Sequence, residues 1–240
     1  MRKLLVLLVW LVVVTPAMAA VLFSDTFDRA NTTGTMEDGS GNQWKNVTAN
    51  AEISGNHVQC KVDQNCSAVG ALVSNITTSQ ANAVISALML QGTDGLTPEL
   101  TCRNQGSDAT KRNFFSAWFD GTTNGYRIGK NVNSTVTVLT VDATGTRLSS
   151  ARLQILCTGT TDLTVYENGV AIKGPVSDTT FAAGVPGFYD ARLLAGAQLF
   201  DNFAVCDAVA ECDDFSRTGV AAASAPPGGP SGKSLLGVGN

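Results

Sequence analysis

The sequence predicts an all-β protein whose antiparallel strands pack as a sandwich or barrel. Apolar and polar residues alternate with period two in run after run, and Gly-, Asn-, Asp- and Ser-rich turns separate the runs. No segment carries the spacing of an amphipathic helix. Many short strands with tight turns in one continuous domain select this fold class over mixed α and β architectures.

The chain opens on a targeting pattern. Arg2 and Lys3 precede the apolar run Leu4–Val14, and Ala17-Met18-Ala19 is an A-x-A cleavage site. Eleven apolar residues are too few for a bilayer span, which takes about 20. Residues 1–19 are therefore expected to be a signal peptide. With it removed no membrane span is expected, and the mature chain is secreted, either extracellular or periplasmic.

Strand-length runs follow: "HVQCKV", "ALVSNI", "AVISALML", "ELTCR", "NFFSAWF", "YRIGKNV", "STVTVLTV", "RLQILC", "LTVYENGVAI" and "AQLFDNFAV". Asn168-Gly169 between two alternating runs predicts a tight hairpin, and Ser54-Gly55-Asn56 and residues 120–125 read as similar turns. From about Val220 the chain loses all periodicity in "AAASAPPGGPSGKSLLGVGN". The expected division is thus a sandwich over 20–206 and a tail over 207–240, Cys-containing at first, then Pro/Gly-rich and disordered. The tail's "GKS" lacks the earlier Gly of a phosphate loop and follows no strand.

Composition excludes some functions. Charged residues make up 15% of the chain, against roughly 25% in typical soluble domains. Net charge is −4 with 16 Lys and Arg and no basic stripe, so nucleic acid is not an expected partner. Export makes the six cysteines readable as disulfides. Pairing nearest neighbours, Cys60 with Cys66 and Cys206 with Cys212, leaves Cys102 for Cys157. No C-x-x-C pair and a single His57 argue against zinc.

"FSDTFDRANTTG", then Trp44 and "ISGNHVQ", and later "YRIGKNVNSTVTVL", "RLQILCTGTTDLTVYENGVAI", "VSDTTFAAGVPGFY" and "AQLFDNFAV" carry a resemblance. Their order over residues 22–206 resembles the concanavalin A-like lectin and glucanase superfamily, including its laminin-G-like members. The resemblance implies a two-sheet antiparallel jelly roll, one sheet concave and often used to hold glycans. It also implies a structural calcium near the termini, held by an acid of the last strand and oxygens of the first.

Two acids fit that implication. Asp25 shares a strand face with Phe23 and Phe27, and Asp201 lies among Leu199, Phe203 and Val205. One calcium ion, needing 6–8 oxygens, is one reading of the pair. Hydrogen bonds to local backbone N–H groups are another, and a salt bridge to Arg29 or Arg192 is a third. Phe200 and Phe203 cannot share a face in a regular strand, so a bulge belongs at Asp201-Asn202.

The catalytic devices of that superfamily are missing. Glu37, Glu52, Glu99, Glu167 and Glu211 form no E-x-D-x-x-E strand, and His57 follows a turn rather than a Gln-x-His pattern. A binding face is better furnished. Phe115, Ala117 and Phe119 alternate with Phe114, Ser116 and Trp118, so Trp118 falls on the face opposite the core or packs beneath a loop. Trp118, Tyr126 and Arg127, with Asp120 and Asn124 in the intervening loop and Arg103 on a neighbouring strand, are the candidate ligand residues. An aromatic platform with planar polar groups suits a sugar, whose apolar face is ringed by hydroxyls. The expected function is a secreted, non-catalytic module binding a glycan of a cell surface or extracellular matrix. A divergent polysaccharide hydrolase or lyase, or a structural or adhesive surface protein, is the alternative.

Overall fold

A computed structural model describes residues 21–28, 44–46, 51–60, 69–73, 82–90, 99–105, 113–121, 125–142, 151–190, 198–206 and 212. The expected signal peptide, Arg29, Asn124, Arg192, the Cys66 expected to pair with Cys60, and the expected tail apart from Cys212 lie outside them. Among the described residues there is no helix, so none is long and apolar enough to cross a membrane.

Fifteen strands are described: β1 (Val21–Asp25), β2 (Trp44–Asn46), β3 (Ala51–Ser54), β4 (His57–Cys60), β5 (Val69–Val73), β6 (Ala83–Met89), β7 (Glu99–Asn104), β8 (Phe114–Asp120), β9 (Gly125–Val132), β10 (Thr135–Asp142), β11 (Arg152–Thr158), β12 (Asp162–Glu167), β13 (Val170–Ser177), β14 (Val185–Asp190) and β15 (Gln198–Cys206). They form two antiparallel sheets. One runs β13-β12-β11-β6-β15-β4-β3, with β1 also on β15; the other, seven-stranded, runs β10-β9-β8-β7-β14-β5-β2.

The hairpins follow from local chemistry. Asn168 and Gly169 take φ of 49° and 79°, and Gly55 and Asn56 take 60° and 63°, the left-handed pairs that a two-residue turn needs to match strand twist. Asn133 and Ser134, at 49° and 67°, make a third such turn between β9 and β10.

Alternation then builds the core. Phe115, Ala117 and Phe119 of β8 face Ile85 and Ala87 of β6 and Leu153 and Ile155 of β11 in one buried cluster. Burying a large apolar side chain contributes roughly 1.5–3 kcal/mol each. At one end an aromatic knot forms around Trp44, whose ring lies 5.3 Å from Phe23, 4.9 Å from Phe203 and 5.7 Å from Phe188. Cys102 on β7 and Cys157 on β11 join the two sheets through this interior; both are buried. Cys206 is joined to Cys212.

β15 carries the expected bulge. Asn202 has φ of 49° and the register with β6 shifts between Asp201 and Ala204, so Phe200 and Phe203 are both fully buried. An extra residue in one strand turns the later side chains to the same face.

Candidate functional site

The outward face of the seven-stranded sheet collects the side chains that alternation turns away from the core. Its lattice follows from the pairing register. In one row Tyr189 opposes Glu99, Trp118 opposes Arg127, and Arg127 opposes Val141. Because Leu100 opposes Ala117, Glu99 stands next to Trp118. In the next row Gly187, Thr101, Ser116, Gly129 and Val138 follow one another across β14, β7, β8, β9 and β10. Phe114, Asn131 and Val136 form a third.

Trp118 and Gly129 are diagonal neighbours on this lattice. A Cβ placed on Gly129 would stand 2.8 Å from Cη2 and 2.9 Å from Cζ3 of the indole. The Trp118 ring therefore reclines across β9 into the space a side chain would fill, and only glycine admits it there. The indole is half-buried, so it keeps surface toward solvent.

Polar groups flank the ring. Arg127 Nη2 and Asp120 Oδ2 are 2.7 Å apart, their side chains 19% and 14% exposed. Thr101, Ser116 and Asn131 are buried at 1% exposure each. The Thr101 hydroxyl and both polar atoms of the Asn131 amide find no hydrogen-bond partner among the described residues. Phe114 of β8 and Tyr189 of β14 meet with ring centroids 5.5 Å apart across β7, the strand that carries Thr101.

Three of the residues expected at a ligand site, Trp118, Arg127 and Asp120, are thus brought together. Tyr126 and Arg103 are not. Tyr126 precedes Arg127 on β9 and so points the opposite way, is 2% exposed, packs 5.0 Å from Phe119, and donates its hydroxyl hydrogen bond to Glu167 Oε1. Arg103 has φ of 53°, which turns its guanidinium inward. Its Nη2 donates to the carbonyls of Thr158 and Gly159 at 3.0 Å, and its Nη1 to that of Phe181 at 3.3 Å. Burial lowers its pKa from the ordinary value, and nearby Asp162 opposes that. Arg103 is a structural clamp on two loops. Gly129, Thr101, Asn131, Glu99 and Tyr189 entered the site without having been singled out. Gly129 was the legible one, because a Gly inside an alternating strand signals close approach by another group.

The two acids are held separately. Asp25 is 5% exposed; its Oδ1 accepts from the Phe27 amide at 2.8 Å and its Oδ2 from the Trp44 indole N–H at 2.7 Å. Each oxygen thus already accepts an N–H of the protein. Asp201 accepts from the backbone and side-chain nitrogens of Asn202 at 2.7 and 3.1 Å. Burial pushes its carboxyl up to about 6, and the charge of Asp28 adds to the rise. Among the described residues no group of three or more His, Cys, Asp or Glu is placed to hold a metal.

No known protein family and no curated protein sequence matches the chain. Solved structures do. The carbohydrate-binding module CBM66 from Bacillus subtilis aligns over 68% of this chain and 95% of its own, at 16% identity and a TM-score of 0.54. β-Agarase A from Zobellia galactanivorans aligns over 82% and 97%, at 10% identity and 0.55. The laminarinase from Rhodothermus marinus aligns over 79% and 98%, at 12% identity and 0.51. With its two antiparallel sheets and these likenesses, the chain has the jelly-roll sandwich fold of the concanavalin A-like lectins and glucanases.

Proposed function

We propose that this protein is a secreted, non-catalytic module that holds a glycan on the outward face of its seven-stranded sheet. The observation that carries the reading is Trp118 reclined over Gly129 with part of its indole exposed, beside the partly exposed polar side chains of Glu99, Asp120 and Arg127. A pyranose or furanose ring offers C–H groups to an indole while its hydroxyls reach the surrounding polar groups. Neighbours in fold named as a carbohydrate-binding module, an agarase and a laminarinase support the ligand class, although fold alone does not assign function. The disulfides Cys102–Cys157 and Cys206–Cys212 fit an oxidising, extracellular or periplasmic compartment.

A polysaccharide hydrolase is the second reading, and one observation favours it: Glu99 and Asp120 both lie on the outward face beside Trp118. Against it, the Asp120 carboxylate is already engaged by Arg127 at 2.7 Å. Calorimetric titration with a polysaccharide panel, run beside a reducing-end assay, separates the two. Binding with no new reducing ends, weakened about tenfold or more in Trp118→Ala, is the expected result. Release of reducing ends that Glu99→Gln abolishes establishes the hydrolase instead.

A further inference from the structure

We infer that the ligand of this face is an uncharged polysaccharide, and that the Asp120–Arg127 pair excludes anionic ones. The inference rests on the glycan reading above and narrows it. Among the described side chains, the charged groups on the outward face are Glu99, Asp120 and Arg127, two carboxylates against one guanidinium. The guanidinium is not offered to a ligand. It is 2.7 Å from Asp120, and both side chains are largely buried. An incoming sulfate or uronate would have to displace that carboxylate and leave a partly buried charge without its partner.

The rest of the face is apolar where it is exposed. Val136, Val138 and Val141 of β10 are 50%, 38% and 38% exposed. Their register partners on β9 are Asn131, Gly129 and Arg127, so they continue the Trp118 surface to the sheet edge. Successive strands are about 4.8 Å apart, which carries this surface across roughly 10 Å from β8 to β10. Such a floor accepts the C–H face of a neutral sugar chain. Set against it, an anionic substituent loses water, and the one cation among the described side chains of the face is already paired with Asp120.

The test is affinity electrophoresis in native gels at low ionic strength, where charge attraction is strongest. One set of gels contains laminarin, levan, xylan or galactomannan; the other contains alginate, polygalacturonate or heparin. The native protein should be retarded by at least one neutral polymer and by none of the anionic ones. Asp120→Asn frees Arg127 and should acquire retardation by the anionic polymers, lost again at about 0.15 M salt. Asp162→Asn makes the same charge change away from this face and should acquire none. Retardation of the native protein by an anionic polymer overturns the inference and leaves the glycan reading standing. So does an Asp120→Asn protein that gains nothing, or an Asp162→Asn protein that gains as much. No retardation by either class overturns both.

Discussion

Asp25 and Trp44 are joined by a 2.7 Å hydrogen bond, the indole N–H donating to Oδ2 of a carboxylate that is 5% exposed. The first strand carries an acid among phenylalanines because the aromatic knot contains one polar hydrogen that needs an acceptor. The same carboxylate takes the Phe27 amide where the chain turns out of β1, with Phe27 at φ of 56°. Asp25→Ala should therefore destabilise by about 3 kcal/mol, since each buried donor left without an acceptor costs about 1–3 kcal/mol. Asp25→Asn retains one acceptor and should lose less. Urea midpoints at an unchanged m-value report both, and an Asp25→Ala protein within about 0.5 kcal/mol of the native one would refute the account.

Asp201 predicts a pH dependence of definite sign. Its folded carboxyl sits at about 6, above the ordinary value near 3.9, because burial disfavours the anion. The folded state then binds a proton that the unfolded chain has already released. This contribution is favourable at low pH and is lost as pH rises from about 4 to about 6. Asp162 slopes the other way, its carboxyl held low by hydrogen bonds from Ser177 and Thr161, as does Asp178, where burial is outweighed by hydrogen bonds from Lys130 and Thr180, so the raw profile mixes all three. The difference in melting temperature between Asp201→Asn and the native protein isolates Asp201. It should grow in favour of the variant between pH 4 and 7, and a flat difference would remove the assignment.

The same variant decides the calcium question. Asp25 already accepts from Trp44 and Phe27 and Asp201 from Asn202, and two carboxylates fall short of the 6–8 oxygens calcium takes unless backbone groups supply the others. Excess chelator is expected to leave the melting temperature at pH 7 unchanged. A ligand of the folded state must raise stability by mass action. A fall on chelation, restored by calcium and absent in Asp201→Asn, would therefore place a cation at Asp201.

Much of this fold was legible because strand alternation is a local rule. It separated Phe115, Ala117 and Phe119 from Ser116 and Trp118, and the Phe200–Phe203 spacing required the bulge at Asn202. The same rule also spoke against pairing Tyr126 with Arg127 at one site, since adjacent strand residues face opposite ways; chemical suitability for a sugar obscured it. Arg103 was not legible. Its inward turn depends on a positive φ and on carbonyls 55 to 78 residues away, which no local pattern encodes. Gly129 lies between. Pairing of Asp120 with Gly125 sets Trp118 opposite Arg127, and counting back places Ser116 opposite Gly129.

The bridge between Cys102 and Cys157 closes a 55-residue separation and links the two sheets. In the chain-entropy account, a loop of that length contributes about 4 kcal/mol by restricting the unfolded chain. The double substitution Cys102→Ala/Cys157→Ala should lose about that much, plus a smaller cavity penalty at two buried positions. Cys206→Ala/Cys212→Ala spans only six residues and should lose about 2 kcal/mol. Equal losses from the two pairs would show that something other than loop length dominates.

Gly129→Ala is the sharpest probe of the site, because it adds one methyl group and alters no charge. Gly129 does not lie in the left-handed region, so its backbone tolerates alanine; the obstacle is the Trp118 ring at 2.8–2.9 Å, with the Thr137 carbonyl oxygen at 3.1 Å. The indole must lift from the sheet. Overpacking of this kind costs about 1–3 kcal/mol in a closed core, and a half-buried ring that can swing outward should put this variant near the lower figure. The near-ultraviolet circular dichroism should change as the indole is reoriented. Glycan affinity should fall about tenfold, much as in Trp118→Ala, although no aromatic surface has been removed. That equivalence distinguishes a platform held at a fixed tilt from a ring that merely supplies area. If Gly129→Ala binds glycan like the native protein while Trp118→Ala does not, the reclined geometry is incidental.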